Sequence, residues 1–320
     1  MQDQIRLKQA CTLPSAPSDD EIQIHGVPLS QYFLTEAEVA QNIENKDWFL
    51  KKILHFGSAI ALIRSIEHLV PNPISNTLFS GLVLLVREFP KFSESHVLEN
   101  VLVQQLRDQV IENCGIAEYY LEAFYANRII AGEVTLQQFP YYENYELLMS
   151  FEAKCIRGYL GSSLFRHVRK VAFIGSGPLP LSSLEIIRHL PKAVTVVNYD
   201  QSAEAVEFGQ TIVATQNLSH RISFVTSSAQ EIEDLGNVDI VYLAALAGGN
   251  AAEKKEITDH LYKIMRPFSI LVARSSAGLR SFIYQRLTLE DFGRFKGFRH
   301  FDPTNKVIIN SIAIGMKLDV

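Results

Sequence analysis

At 320 residues, 47% of them hydrophobic and 20% charged, the chain is long enough for one large domain or two modest ones and is expected to fold over most of its length. A net charge of −5 with no Lys/Arg block excludes the footprint of a nucleic-acid binder. The longest apolar runs, near 82–86 and 240–247, fall short of the ~20 residues of a membrane span. Three scattered cysteines (Cys11, Cys114, Cys155), without a C-x-x-C, and nine histidines without an i, i+4 pair predict neither a disulfide framework nor a protein metal site, and fit a reducing cytoplasm.

Residues 1–34 read as an arm or lid edge with little order of its own: they are polar, interrupted by Pro14 and Pro17, and carry the pair Asp19-Asp20. Asp3 and the lack of a continuous apolar stretch in residues 1–15 argue against a secretory signal. The capping-box spacing Thr35-Glu36-Ala37-Glu38 then opens a helical pattern that continues through Trp48, Phe49, Ile53 and Leu54. Pro71, Pro73, Pro90 and Pro140 divide the region 35–168 into five or six helices, one over 76–87 and another over 97–113.

From Gly115 the chain places Glu118 and Glu122 one helical turn apart, flanked by Tyr119 and Tyr125. Two carboxylates on a solvated helix face account for this spacing more readily than a binding site does. Phe139-Pro140-Tyr141-Tyr142-Glu143-Asn144-Tyr145 crowds three tyrosines just after a helix break. Each buried hydroxyl needs a partner, so such a cluster suits either a cation facing the rings or ordinary packing between helices.

Lys170 to Asp200 reads as strand, tight turn, helix, strand, acid. An apolar run ends at Gly175-Ser176-Gly177, and a second β-rich run delivers Asp200, 23 residues after Gly177. Without a Cβ at Gly175 and Gly177 the backbone can turn off the strand and let a ligand lie against main-chain N–H groups, while Asp200 can accept ribose hydroxyls on the same sheet edge. Pro178 follows the second glycine and Pro180 stands where a dinucleotide fingerprint has its third, which disfavours NAD or FAD. A nucleoside without phosphates, such as S-adenosylmethionine, needs only the turn and the acid; a purely structural glycine turn remains the other reading. Beyond Asp200 the pattern predicts a helix over 203–216, strands over 222–226 and 238–243, a helix over 253–265, a strand over 270–273 and a late strand over 306–314. That alternation predicts an α/β fold with a parallel, doubly wound sheet and an antiparallel last strand.

Several segments together resemble the nicotianamine synthase family and its bacterial relatives that make opine-type metallophores. They are Gly115-x-Ala-Glu-x-x-Leu-Glu122, Phe139-Pro-Tyr-Tyr-x-Asn-Tyr145, Val171-Ala-Phe-Ile-Gly-Ser-Gly-Pro178, Asn198-Tyr-Asp200, Asp239-Ile-Val-Tyr-Leu-Ala-Ala-Leu246, Arg274-Ser-Ser-Ala-Gly-Leu-Arg-Ser-Phe-Ile-Tyr284 and Val307-Ile-Ile-Asn-Ser311, in family order over roughly 110–315. The resemblance implies a Rossmann-like, class I methyltransferase-type sheet over 169–320, preceded by a helical domain over 35–168 that closes on the reacting carbon. It implies transfer of the 3-amino-3-carboxypropyl group of S-adenosylmethionine to an amine, with release of 5′-methylthioadenosine.

Carried over position by position, the resemblance makes Glu118 the group that holds or deprotonates the attacking amine, assisted by Tyr141 and Tyr142, with Tyr145 and Glu122 on the substrate. It places Gly175, Ser176, Gly177 and Pro178 along the methionyl part and Asp200 on the ribose. Ala244 and Leu246 become pocket wall. Where many family members have an acid after the next strand, this chain reads Thr226-Ser227-Ser228-Ala229, so Ser228 and Ala229 are assigned to the adenine through a hydroxyl or main chain. Arg274 or Arg280 is expected to clamp a substrate carboxylate. The acceptor is left open among a second S-adenosylmethionine-derived unit, an amino acid such as histidine, and the cofactor's own amine, which would close azetidine-2-carboxylate. A methyltransferase or a non-catalytic nucleoside sensor would bind the same molecule. The partners expected are small molecules, with no metal, nucleic acid or membrane, and the assembly is left open between monomer and homodimer.

Overall fold

The computed structural model describes residues 23–318 apart from positions 89, 91 and 249, so the first 22 residues of the expected arm lie outside the described residues. The remainder of that arm is docked. Gln23–Ile24 (β1) and Val27–Pro28 (β2) form a short hairpin across His25 and Gly26, both at positive φ, and Ile24, Leu29 and Tyr32 are buried among the helices. Apolar side chains on both sides of a tight turn have a core to enter, which polar composition alone did not disclose.

Helices follow at Glu36–Gln41 (α1), Lys46–Ala61 (α2), Pro73–Val86 (α3), Val101–Ile130 (α4) and Tyr142–Phe165 (α5). Thr35 accepts from the Glu38 N–H as its spacing predicts, but the pattern through Leu54 is two helices, because Asn45 caps a second at the Trp48 N–H. Helix α3 starts three residues earlier than expected: Asn72 is its cap and Pro73 its first residue, a place where a missing N–H costs nothing. Gly115 does not interrupt α4, which runs as one 30-residue helix and carries Glu118 and Glu122 near its middle.

The sheet has seven strands in the order β5-β4-β3-β6-β7-β9-β8. They are Lys170–Ile174 (β3), Thr195–Asp200 (β4), Ile222–Thr226 (β5), Ile240–Leu243 (β6), Ile270–Ser275 (β7), Lys296–Phe301 (β8) and Ser311–Met316 (β9). The first five in that order are parallel; β9 inserts antiparallel between β7 and β8. Both faces are covered. Helices α4, α5, Leu181–His189 (α6) and Ala203–Thr215 (α7) contribute to one core, and Ala251–Ile264 (α8) with Leu289–Phe292 (α9) to another. This explains the uninterrupted apolar text of β3, β6 and β7, whose inner residues are buried on both sides.

Strand β8 was not foreseen. It is a largely exposed edge strand, Lys-Gly-Phe-Arg-His-Phe, with a register shift between Lys296 and Arg299, so it lacks both the apolar run and the alternation that mark a strand in text. The expected strand over 306–314 begins only at Ser311, because Asn305 turns the chain with its side chain on the N–H groups of Val307 and Ile308. Strand β3 lies between β4 and β6, so the loops leaving it and its neighbours diverge there, at the switch point where open α/β sheets bind ligands.

Candidate active site

The turn after β3 is built as its glycines predict. Gly175 and Gly177 sit at φ +79° and +66°. A Cβ at Gly175 would meet the Cβ atoms of Ala244 and Ala247 at 3.2 and 3.3 Å, so the loop after β6 closes directly on the turn. Gly177 N–H donates to Asp200 Oδ2 at 2.8 Å and Ser202 N–H to Oδ1 at 2.9 Å. The carboxylate is thereby aimed across the turn with lone pairs to spare. The Ser176 hydroxyl is buried beside it and has no hydrogen-bond partner among the described residues.

Ser228 and Ala229 follow β5 on the same edge. The Ser228 hydroxyl and N–H both donate to the Glu231 carboxylate, at 2.8 and 3.1 Å, which holds that acid below the usual carboxylate range. Ser228, assigned to the adenine through its hydroxyl or main chain, is thus paired through both with Glu231, an acid two positions beyond the segment Thr226–Ala229.

Above the turn lies α4. Glu118 and Glu122 do not face solvent. Glu122 is buried, and a Cβ on Gly177 would fall 2.4 Å from its Oε2, so the second glycine makes room for that carboxyl. Tyr145 donates to Glu122 Oε1 at 3.2 Å and reaches Glu118 Oε1 at 3.5 Å, while Tyr284 donates to Glu118 Oε2 at 2.7 Å. Burial raises the pKa of both acids; for Glu122 the charge of Glu118 raises it further, and for Glu118 the Tyr284 hydrogen bond and the Arg274 charge pull it back. The Tyr141 phenol is pushed up to about 12, by burial first and then by the Glu118 charge.

A cavity of about 520 Å³ opens on the helical side of Glu118. Its wall includes Glu118, Tyr141, Tyr145 and Tyr284, with Phe79 from α3 and Asn310 from the loop before β9. Contacts therefore run from the cavity through Glu118 and Tyr145 to Glu122 and on to the glycine turn.

Tyr142 and Arg274 do not take the places expected of them. Tyr142 donates to Glu185 on α6 at 2.9 Å and is not part of the cavity wall. The reason is helical phase: Tyr141 and Tyr145 share a face, and Tyr142 is turned about 100° away. Arg274 is buried beneath the tyrosines, where its Nε donates to Glu152 Oε1 at 3.1 Å and a terminal nitrogen to Ser182 Oγ at 2.8 Å. Arg280 spends a terminal nitrogen on the carbonyls of Arg87 and Asn305. Neither is an exposed clamp. Arg274 instead stacks 5.7 Å from the Tyr145 ring and acts on the acids by charge.

Tyr284 and Glu231 were missed as site residues. Tyr284 lay within a quoted motif but 166 positions from Glu118, and only the turn Gly278–Phe282 brings it back beneath α4. Leu246 packs against Gly115, where a Cβ would stand 3.3 Å from its side chain, and so joins the loop after β6 to the helix bearing Glu118. Among the described residues no group of three or more His, Cys, Asp or Glu is placed to hold a metal ion, and no helix is long and apolar enough to cross a membrane.

The family model for nicotianamine synthase protein matches residues 41–320. Nicotianamine synthase of Solanum lycopersicum is 34% identical over 263 residues, 81% of each chain, and nicotianamine synthase 3 of Oryza sativa subsp. japonica is 35% identical over 292 residues, 89% of this chain and 82% of that one. Among solved structures, MtNAS in complex with MTA and tNA is similar with a TM-score of 0.66 at 18% identity, covering 84% of this chain and 98% of that chain; at that identity the likeness speaks for the fold. These matches make the chain an S-adenosylmethionine-dependent aminocarboxypropyl transferase, and its sheet is of the methyltransferase type. Within that class, the chain belongs to the nicotianamine synthase family.

Proposed function

We propose that this chain transfers the 3-amino-3-carboxypropyl group from S-adenosylmethionine at the glycine turn to a separate amine held in the helical cavity, in the manner of a nicotianamine-like or opine-metallophore synthase. The observation that carries the reading is Glu118: one carboxylate lines the cavity and is joined through Tyr145 to Glu122 at Gly177. In the step, the acceptor nitrogen attacks the donor's Cγ, the Cγ–S bond breaks, and its electron pair stays on sulfur to give neutral 5′-methylthioadenosine. Glu118 receives the proton the acceptor nitrogen loses. The sulfonium is already a good leaving group, so placing nitrogen about 3 to 3.5 Å from Cγ and in line with sulfur supplies most of the acceleration.

Asp200 takes the ribose, and Gly175, Ser176, Gly177 and Pro178 take the methionyl chain, where the orphan Ser176 hydroxyl gains a partner. Ala229, Ala244 and Leu246 form walls. Glu122, against Gly177, meets the donor's α-ammonium, and Tyr141 and Tyr145 close over the sulfonium with their ring faces. A cavity of about 520 Å³ favours a distinct acceptor over closure of azetidine-2-carboxylate, which needs no such space.

Incubation with S-adenosylmethionine alone and with L-histidine, followed by mass spectrometry, tests this. Methylthioadenosine with a product heavier by one aminocarboxypropyl unit is expected, and Glu118→Gln should cut its formation about 10²-fold or more. S-adenosylhomocysteine as coproduct would make the chain a methyltransferase; azetidine-2-carboxylate would make it a cyclase.

A further inference from the structure

Lys254, on α8, is wholly buried, and its ammonium serves none of the steps above. Nζ donates to the carbonyls of Ala245 and Ala247 at 2.6 and 2.9 Å and reaches that of Ala244 at 3.5 Å, so its three N–H groups meet three carbonyls of one loop. Among the described residues no carboxylate pairs with it directly. A buried ammonium held only by peptide dipoles is costly. The fold is arranged to keep it: Gly248, at φ +80°, has Lys254 Cγ and N at 3.0 and 3.1 Å from where a Cβ would stand.

The loop so held is the one that closes the site. Its Ala244 and Ala247 methyls press on Gly175, and its Leu246 presses on Gly115 of the helix that carries Glu118. We propose that Lys254 is a positioning residue for the donor site, its ammonium gathering the carbonyls after β6 and thereby setting the loop that spaces the glycine turn from the helix of Glu118. This rests on the reading that the nucleoside lies at the glycine turn.

The charge on Lys254 is then a condition for tight binding, and it is held within reach of ordinary pH. Burial lowers its pKa to about 8, against a smaller pull upward from the Asp291 carboxylate on α9. On its own helix, Lys255 and Asp259 pair with each other at 2.8 Å near the surface, Glu253 stands in the capped first turn, and the facing loop presents only main chain.

The test is calorimetry of 5′-methylthioadenosine, which has no group titrating in the range used, from about pH 7 to about pH 9.5. If only the ammonium form binds well, the competent fraction falls about 30-fold over that range and the apparent affinity with it, so a loss of at least about tenfold is expected. Lys254→Met should bind weakly at pH 7, without that decline, while its thermal midpoint shows that it is folded; the acids near the turn are present in both proteins. A wild-type affinity that is level across the range overturns the assignment even if Lys254→Met does not fold, and so does a decline of equal size in both proteins. Failure of methylthioadenosine to bind the wild type at any pH overturns the donor-site reading and this assignment with it.

Discussion

Replacing Tyr284 by phenylalanine removes one oxygen and keeps the ring that walls the cavity. The lost hydroxyl donates to Glu118 Oε2 at 2.7 Å, and it is the largest influence opposing the burial that raises the acid's pKa. A hydrogen bond to a charged acceptor contributes about 1.5–3 kcal/mol, which is about a 10- to 150-fold change in the ratio of carboxylate to carboxylic acid. Glu118 accepts a proton only as carboxylate, so activity is present above its pKa and lost as pH falls through it. Tyr284→Phe raises that pKa further. The acid limb of kcat/KM, followed by methylthioadenosine release between about pH 5 and 9, should therefore move to higher pH, with the rate on the acid side down by about the factor above. The plateau at high pH should change much less. An acid limb that stays in place, or moves to lower pH, would refute the role given to Glu118, because no other carboxylate accepts from this hydroxyl among the described residues.

Asp200→Ala removes the acceptor of the Gly177 and Ser202 N–H groups together with the ribose contact, and should weaken methylthioadenosine binding by about tenfold or more, roughly one charge-assisted hydrogen bond; equal affinity by calorimetry would remove the ribose assignment. Tyr142→Phe loses the bond to Glu185 outside the cavity, so it should lower stability by about 1 kcal/mol in denaturant titration and leave kcat within about twofold. A fall in kcat matching that of Tyr145→Phe would return Tyr142 to the site. Gly177→Ala adds about 1–2 kcal/mol of left-handed backbone strain and drives a Cβ into the Glu122 carboxyl, so both affinity for methylthioadenosine and thermal midpoint should drop; an unaltered midpoint would contradict the close approach of Glu122.

Much of the sheet was legible because it is buried on both faces. Strands β3, β6 and β7 were placed to within two residues at either end, since an unbroken apolar run can only be an inner parallel strand here, whereas 222–226 was placed to the residue on its β-branched and aromatic content although it is an exposed edge strand. The glycine turn and Asp200 were legible because their residue types are dictated by backbone geometry. What could not be read was partnership. Glu118 and Glu122 are spaced like a solvated pair, and nothing in α4 itself distinguishes water from Tyr145, Tyr284 and the Gly177 turn as their surroundings. Arg274 likewise looks like a surface clamp until Glu152, 122 positions away, is found beside it. Edge strand β8 failed for the opposite reason: its exposed residues carry no periodic signal.

Gly115 shows why the joint between the two halves resists a reading from text. A glycine inside a helix costs up to about 1 kcal/mol and normally argues for a boundary, which is how the break near 113 arose. The helix nevertheless continues to Ile130, because packing on both of its sides outweighs that propensity. The small residue is there for Leu246, which needs the room to bring the loop after β6 against α4. One helix thus carries the acid of the cavity and, a turn later, the acid of the glycine turn, and its distance from the sheet is fixed by side chains rather than by a linker. A transfer reaction that must hold donor carbon and acceptor nitrogen in line gains from that construction, since the two halves of the site cannot drift apart without unpacking a buried joint.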